Sequence, residues 1–158
     1  KILIEAGANV NWNEECCLYL ACENGDTKMV ELLIEKGAVV KNPPDVEADR
    51  TERGCESFLV KAALGGHVDV LRVLLDHGAA IDTISNVYDT KGTSLMAASM
   101  MDQHAAVDFL IERGADKHKK NEDGLDSADF AKMSSVEYDF NENPKNVPDE
   151  LPKGITFG

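Results

Sequence analysis

Four segments of the chain end alike, and this recurrence restricts the fold more than any other feature of the sequence. They are KILIEAGANVN (1–11), VELLIEKGAVVK (30–41), LRVLLDHGAAID (71–82) and VDFLIERGADKH (107–118), with Gly-Ala pairs at 7, 37, 78 and 114. A second shared piece precedes the last three: CCLYLACENGD (16–26), SFLVKAALGGH (57–67) and TSLMAASMMDQ (93–103). Apolar or small residues recur at helical spacing in both pieces, as in Leu18, Ala21, Cys22 and in Leu71, Leu74, Leu75. Each unit therefore reads as two short helices. Gly37, Gly78 and Gly114 stand where a helix commonly ends in a left-handed residue, and Gly25 and Gly66 mark a tight turn between the helices. Helices this short are marginal alone in water, so the units must stack their apolar faces on one another.

The paired pieces resemble the ankyrin repeat, whose pattern runs approximately T-P-L-H-x-A-A-x-x-G-H and then V-V-x-L-L-L-x-x-G-A-D-V-N. AALGGHVDVLRVLLDHGAAID and ACENGDTKMVELLIEKGAVV match it best, and NEDGLDSADFAK (121–132) resembles the opening of a further unit. The resemblance implies an all-α solenoid of stacked helix-turn-helix units with protruding hairpin loops. It divides the chain into repeats over 1–132 and an acidic, proline-containing tail or linker over 133–158. Within the repeats, 1–12 ends a truncated unit, 13–41, 57–82 and 93–118 are full units, 42–56 and 83–92 are extended loops, and 119–132 is a terminal half unit. Because Lys1 falls inside a second helix, further repeats are expected upstream.

The departures from the pattern matter as much. Successive Gly-Ala pairs stand 30, 41 and 36 residues apart, against a family period of about 33. All the irregularity falls between a Gly-Ala pair and the next first helix, where the family places its hairpin loop. The positions of the family's Thr and His, which bond each other at the first helix, read Cys16 and Tyr19, Ser57 and Val60, Thr93 and Met96, and Asp126 and Asp129, so no unit keeps the pair. A lower stability per repeat is expected from four lost pairs, each neutral hydrogen bond being worth roughly 1 kcal/mol.

A net charge of −13 disfavours nucleic acid and anionic membrane surfaces as partners. The compact basic run, Lys117-His118-Lys119-Lys120, is followed at once by Glu122 and Asp123. The most apolar stretch, FLVKAALGGHVDVLRVLL, is interrupted by Lys61, Asp69 and Arg72, so no membrane span is expected. Four cysteines without CxxC spacing suggest a reducing compartment, the cytoplasm or nucleus. Cys16 and Cys17 fall on the helix-opening Thr and Pro of the pattern and Cys22 on its second Ala, which assigns them to the helix start and the core. The histidines at 67, 77, 104 and 118 belong to other units, so no metal or cofactor is expected. No phosphate loop, GxSxG or HExxH is present, so the chain reads as a binding module and not an enzyme.

Ankyrin modules are protein-interaction modules, and the resemblance assigns binding to the concave helix face and the loops. The candidate contact residues there are Glu14, Glu15, Glu23, Asn24, Leu64, Gly65, Tyr88, Met100, Met101, Glu122, Asp123 and Leu125. Adjacent Met100 and Met101 cannot both face inward, so at least one is expected at the surface, where flexible thioethers suit adaptable contacts. The insertion KNPPDVEADRTERGCE (41–56) adds Asp45, Glu47, Asp49 and Glu52 as acceptors for Lys or Arg. Asn11 fits the position at which ankyrin repeats are hydroxylated. The partner is expected to be a protein with a basic or mixed surface, met by a monomer, with no small-molecule substrate. The alternative is a regulatory or substrate-recruiting segment of a larger enzyme or channel.

Overall fold

A computed structural model describes residues 17–40, 57–87 and 90–134. Three helix pairs follow one another along these residues. They are α1 (Cys17–Glu23) with α2 (Thr27–Glu35), α3 (Phe58–Leu64) with α4 (Val68–Asp76), and α5 (Ser94–Met100) with α6 (His104–Glu112). A last helix, α7 (Ser127–Ser134), takes the first-helix place of a further unit. First helices pack on first helices in the order α1, α3, α5, α7, and second helices pack in the order α2, α4, α6. The helices span 7 to 9 residues, too short to persist alone, so stacking holds them.

The Gly-Ala pairs close the second helices. The N–H of Gly37 donates to the Ile34 carbonyl and that of Ala38 to the Leu33 carbonyl, each at 2.9 Å. The same two bonds recur at Gly78-Ala79 and Gly114-Ala115. This pattern requires a left-handed residue at the first position, and the three glycines have φ of 92°, 87° and 92°. Ala38 and Ala115 are buried beneath the turn they close.

The first helices start without the Thr–His pair, yet they are capped by other means. Ser57 Oγ accepts the Leu59 N–H at 3.3 Å. Thr93 Oγ1 accepts the Met96 N–H at 3.3 Å while the Met96 thioether accepts the Thr93 N–H, also at 3.3 Å. Asp126 Oδ1 accepts from Ala128 and Asp129, and Asp129 Oδ2 accepts from Asp126. The lost hydrogen bonds inferred from the sequence are thus replaced at these three units by side-chain caps. In the last two the capping is reciprocal, with a methionine sulfur or a second carboxylate as the returning acceptor.

A core of Leu18, Cys22, Val30, Leu33, Leu59, Val60, Leu71, Leu74, Leu95 and Leu110 runs through the stacked pairs. A smaller cluster of Met96, Leu125 and Phe130, flanked by Met100 and Met133, seats α7 on α5. Between the second and third pairs the chain forms an antiparallel hairpin, β1 (Ser85–Val87) and β2 (Thr90–Gly92), registered Ser85 to Gly92 and Val87 to Thr90. Its base is tied to the helices by Ser85 Oγ, which accepts the Ser57 N–H at 2.6 Å.

Candidate functional site

The turn that joins the two helices of each unit comes to the surface at one place per unit, and these three tips form a row. Asn24-Gly25-Asp26, Gly65-Gly66-His67 and Met101-Asp102-Gln103 occupy equivalent positions. The central residue of each tip is left-handed, with φ of 70° at Gly25, 69° at Gly66 and 56° at Asp102. Asp102 is the described non-glycine residue with positive φ, a conformation that costs an L residue roughly 1–2 kcal/mol and Asp somewhat less.

At the second and third tips the third residue binds its unit to the one before. His67 Nε2 donates to the Glu23 carbonyl at 3.0 Å, and Gln103 Nε2 donates to the equivalent Leu64 carbonyl at 3.4 Å. Lys61 reinforces the first junction, with its ammonium 3.3 Å from Glu23 Oε1 and 5.0 Å from the centre of the Tyr19 ring. On the second-helix side, Arg113 pairs with Asp76 of the preceding unit. Arg72 and Arg113 lie 4.9 and 5.6 Å from the centre of the Phe109 ring, which they cover. The Arg113 guanidinium hydrogen-bonded to Asp76 holds that carboxyl below its ordinary value of 3.8.

The loops clasp in the same unit-to-unit manner. Asn121 is buried, with Nδ2 donating to the Lys91 carbonyl at 2.7 Å and Oδ1 accepting from Asp123 and Leu125 at 3.0 and 2.9 Å. Lys91 pairs with Glu122 at 2.9 Å, and Asp82 receives both the Asp116 N–H and the Lys119 ammonium. Lys119 of the basic run is therefore occupied within the protein. A cleft of about 160 Å³ opens between Val40, Phe58, Leu59, Ala79, Ala80 and Thr83. Among the described residues no titratable side chain lines it, and the side chains that do are apolar apart from the hydroxyls of Ser57 and Thr83.

The structure sorts the candidate contact residues by exposure. Glu23, Asn24, Gly65, Met101, Glu122 and Asp123 are exposed, with Met101 at 40%. Met100 is half-buried and packs against both clusters. Two assignments are corrected: Leu64 and Leu125 are buried, at 8% and 6% exposure. Leu64 closes the apolar face of α3, and Leu125 is held inward by the Asn121 loop against Met96 and Phe130. Asn11, Glu14, Glu15, Asp45, Glu47, Asp49, Glu52 and Tyr88 lie outside the described residues.

Sequence inspection missed the exposed apolar side chains of Leu20, Val39 and Ile111, at 47%, 58% and 45%. Leu20 was findable, since it is rotated by about 200° from buried Leu18 on a helix. Cys17 is exposed and Cys22 is buried. Among the described residues no helix is long and apolar enough to cross a membrane, and no three His, Cys, Asp or Glu side chains gather as a metal-ligand set.

Comparison with known proteins agrees with this geometry. Residues 41–121 match the family model for ankyrin repeats (3 copies), and residues 13–46 match that for a single ankyrin repeat. The Drosophila melanogaster ankyrin repeat and KH domain-containing protein mask is 34% identical over 117 residues, 74% of this chain and 3% of that protein. Human ankyrin repeat and KH domain-containing protein 1 is 36% identical over 117 residues, 74% of this chain and 4% of that protein. Protein glp-1 of Caenorhabditis elegans is 31% identical over 135 residues, 78% of this chain and 10% of that protein. The chain thus spans no more than a tenth of the length of these relatives. The matched repeats and the stacked helix pairs together establish that the chain belongs to the ankyrin-repeat family of protein-interaction modules.

Proposed function

We propose that the chain binds a protein partner along the row of turn tips and the adjoining first-helix face, using contact and charge without catalysis. The supporting observation is the chemistry of that row: the exposed Met101 thioether accompanied by the exposed carboxylates of Glu23, Asp26 and Asp102. An adaptable apolar contact flanked by acids fits a partner segment in which Lys or Arg accompanies a large apolar side chain. The net charge of −13 steers such a segment in and opposes nucleic acid and anionic membranes. The ankyrin family is generally non-enzymatic, in keeping with binding alone. This reading takes the module as a monomer acting in the cytoplasm or nucleus, with no small-molecule substrate.

A peptide-display selection against the chain tests the reading and requires no named partner. The selected peptides should be enriched in basic and large apolar residues. Met101→Lys and Glu23→Lys should each weaken their binding by about tenfold, corresponding to about 1.4 kcal/mol. Glu112→Lys on the second-helix side should leave binding unchanged. Equal loss in all three variants would contradict the proposed surface.

The small share of the relatives' length that the chain covers favours a second reading at a larger scale. In that reading the module recruits or regulates on behalf of domains elsewhere in a longer polypeptide. Co-purification of the module with such a domain expressed separately, abolished by the Met101 and Glu23 substitutions, is the expected result.

A further inference from the structure

The last described helix, α7, depends on methionine. It packs on α5 through a small cluster apart from the main core, made of Leu125, Phe130 and Met96 with Met100 and Met133 against them. Three of those five side chains are thioethers. Met96 is almost fully buried, whereas Met100 and Met133 are half-buried. Met100 also touches the main core, so it joins the two clusters. Described polar contacts of α7 include the Asp126–Asp129 cap, the Lys132–Asp129 pair within the helix and the bond from Ser127 Oγ to the Lys117 carbonyl, while the thioether cluster packs the helix against α5.

We propose that Met100 and Met133 are oxidation sites whose conversion to methionine sulfoxide releases the terminal half repeat from the stack. In the reaction, the thioether sulfur attacks one oxygen of a peroxide. The O–O bond breaks, and the attacked oxygen stays on the sulfur as S=O and gives up its proton. The other oxygen leaves as hydroxide, takes that proton and becomes water, so the sulfur's two-electron oxidation balances the reduction of the peroxide. The product replaces a flexible apolar group with a polar, chiral one, and the cluster's described side chains, Leu125 and Phe130 among them, offer it no hydrogen-bond donor. Two other methionines supply internal controls. Met101 is the more exposed neighbour but does not belong to the α7 cluster, and Met29 packs on the main core in α2. Met96 is shielded, and its sulfur is engaged by the Thr93 N–H, so it should react last.

The test treats the full chain with hydrogen peroxide and follows each methionine by peptide mass. Amide exchange across 121–134 is measured on the same samples. Oxidation of Met100 and Met133 should speed exchange in α7 by about tenfold or more, with α1 to α4 unchanged. Met100→Leu with Met133→Leu, close in volume, should keep α7 protected after treatment, whereas Met101→Leu should not protect it. Should the double variant lose α7 before any peroxide is added, Met133→Leu alone replaces it and should reduce the release. Unchanged α7 exchange with both methionines oxidised would overturn the proposal. So would equal release in the leucine variants, or oxidation confined to Met101.

Discussion

His67 donates from Nε2 to the backbone carbonyl of Glu23 at 3.0 Å, and its ring fills the space beside Gly25 and Gly65. One side chain thus fixes a unit to its predecessor and makes two glycines obligatory. A Cβ on Gly25 would lie 2.5 Å from His67 Nδ1, in a residue that already has positive φ. His67→Ala should lower stability by about 1 kcal/mol, read from the urea midpoint. His67→Gln should lose less, because Gln103 makes the same bond at the next junction. Gly25→Ala should exceed the histidine loss, since left-handed strain adds to the steric conflict.

Asp102 occupies the left-handed place that Gly25 and Gly66 hold in the other two tips. Asp102→Gly should therefore stabilise the chain by about 0.5–1 kcal/mol, raising the melting temperature by a few degrees. The gain is reduced by the loss of the Asp102 contact to His104, which is surface-exposed and worth little. An unchanged or lower melting temperature would show that the carboxylate relieves more strain than its backbone geometry suggests.

Asn121 holds the entry to α7 through its buried amide. Asn121→Ala leaves the Leu125 N–H without its side-chain acceptor and removes one of the two described ties of β2 to the loop, the Lys91–Glu122 pair remaining. A loss of about 1–3 kcal/mol is expected, and it should be local. Amide exchange should rise through 121–134 and little in α1 to α4. A uniform rise would mean that the last unit unfolds together with the rest of the stack.

The helix pairs and their stacking were legible because the deciding residues recur: Leu33, Leu74 and Leu110 fall at one register position and are buried in each of the three described pairs. The glycines after each second helix were equally legible, since few other residues adopt φ near +90°. Leu64 and Leu125 were misread as surface residues because their burial is decided by neighbouring units. Leu125 is turned inward by an asparagine four residues earlier. The capping of α5 was hidden for a chemical reason, because a methionine sulfur stands in as acceptor where the family pattern has histidine. Of the two unit-to-unit bonds, His67 stands on the closing His of the repeat pattern, whereas Gln103 departs from it, so the pattern points to the first bond and hides the second.

Two carboxyls link the fold to acid. Arg113 hydrogen-bonded to Asp76, and Lys132 hydrogen-bonded to Asp129 with help from the Asp126 N–H, hold both below the ordinary value of 3.8. A carboxyl depressed in the folded state adds stability above the unfolded value of about 4. That stability is lost as pH falls through the folded value. Asp76→Asn and Asp129→Asn should each flatten the stability profile below about pH 4 and leave its shape near neutrality unchanged. Denaturant midpoints measured across acid pH check this, and an unaltered acid limb would assign the acid sensitivity to other groups.

Amide exchange of the chain with and without a peptide selected for binding tests the central claim most directly. New protection is expected at the turn tips, over 23–26, 65–67 and 100–104, with little change on the outer surface of α2, α4 and α6. Protection confined to those second helices, with the tips unaffected, would contradict binding along the row of tips.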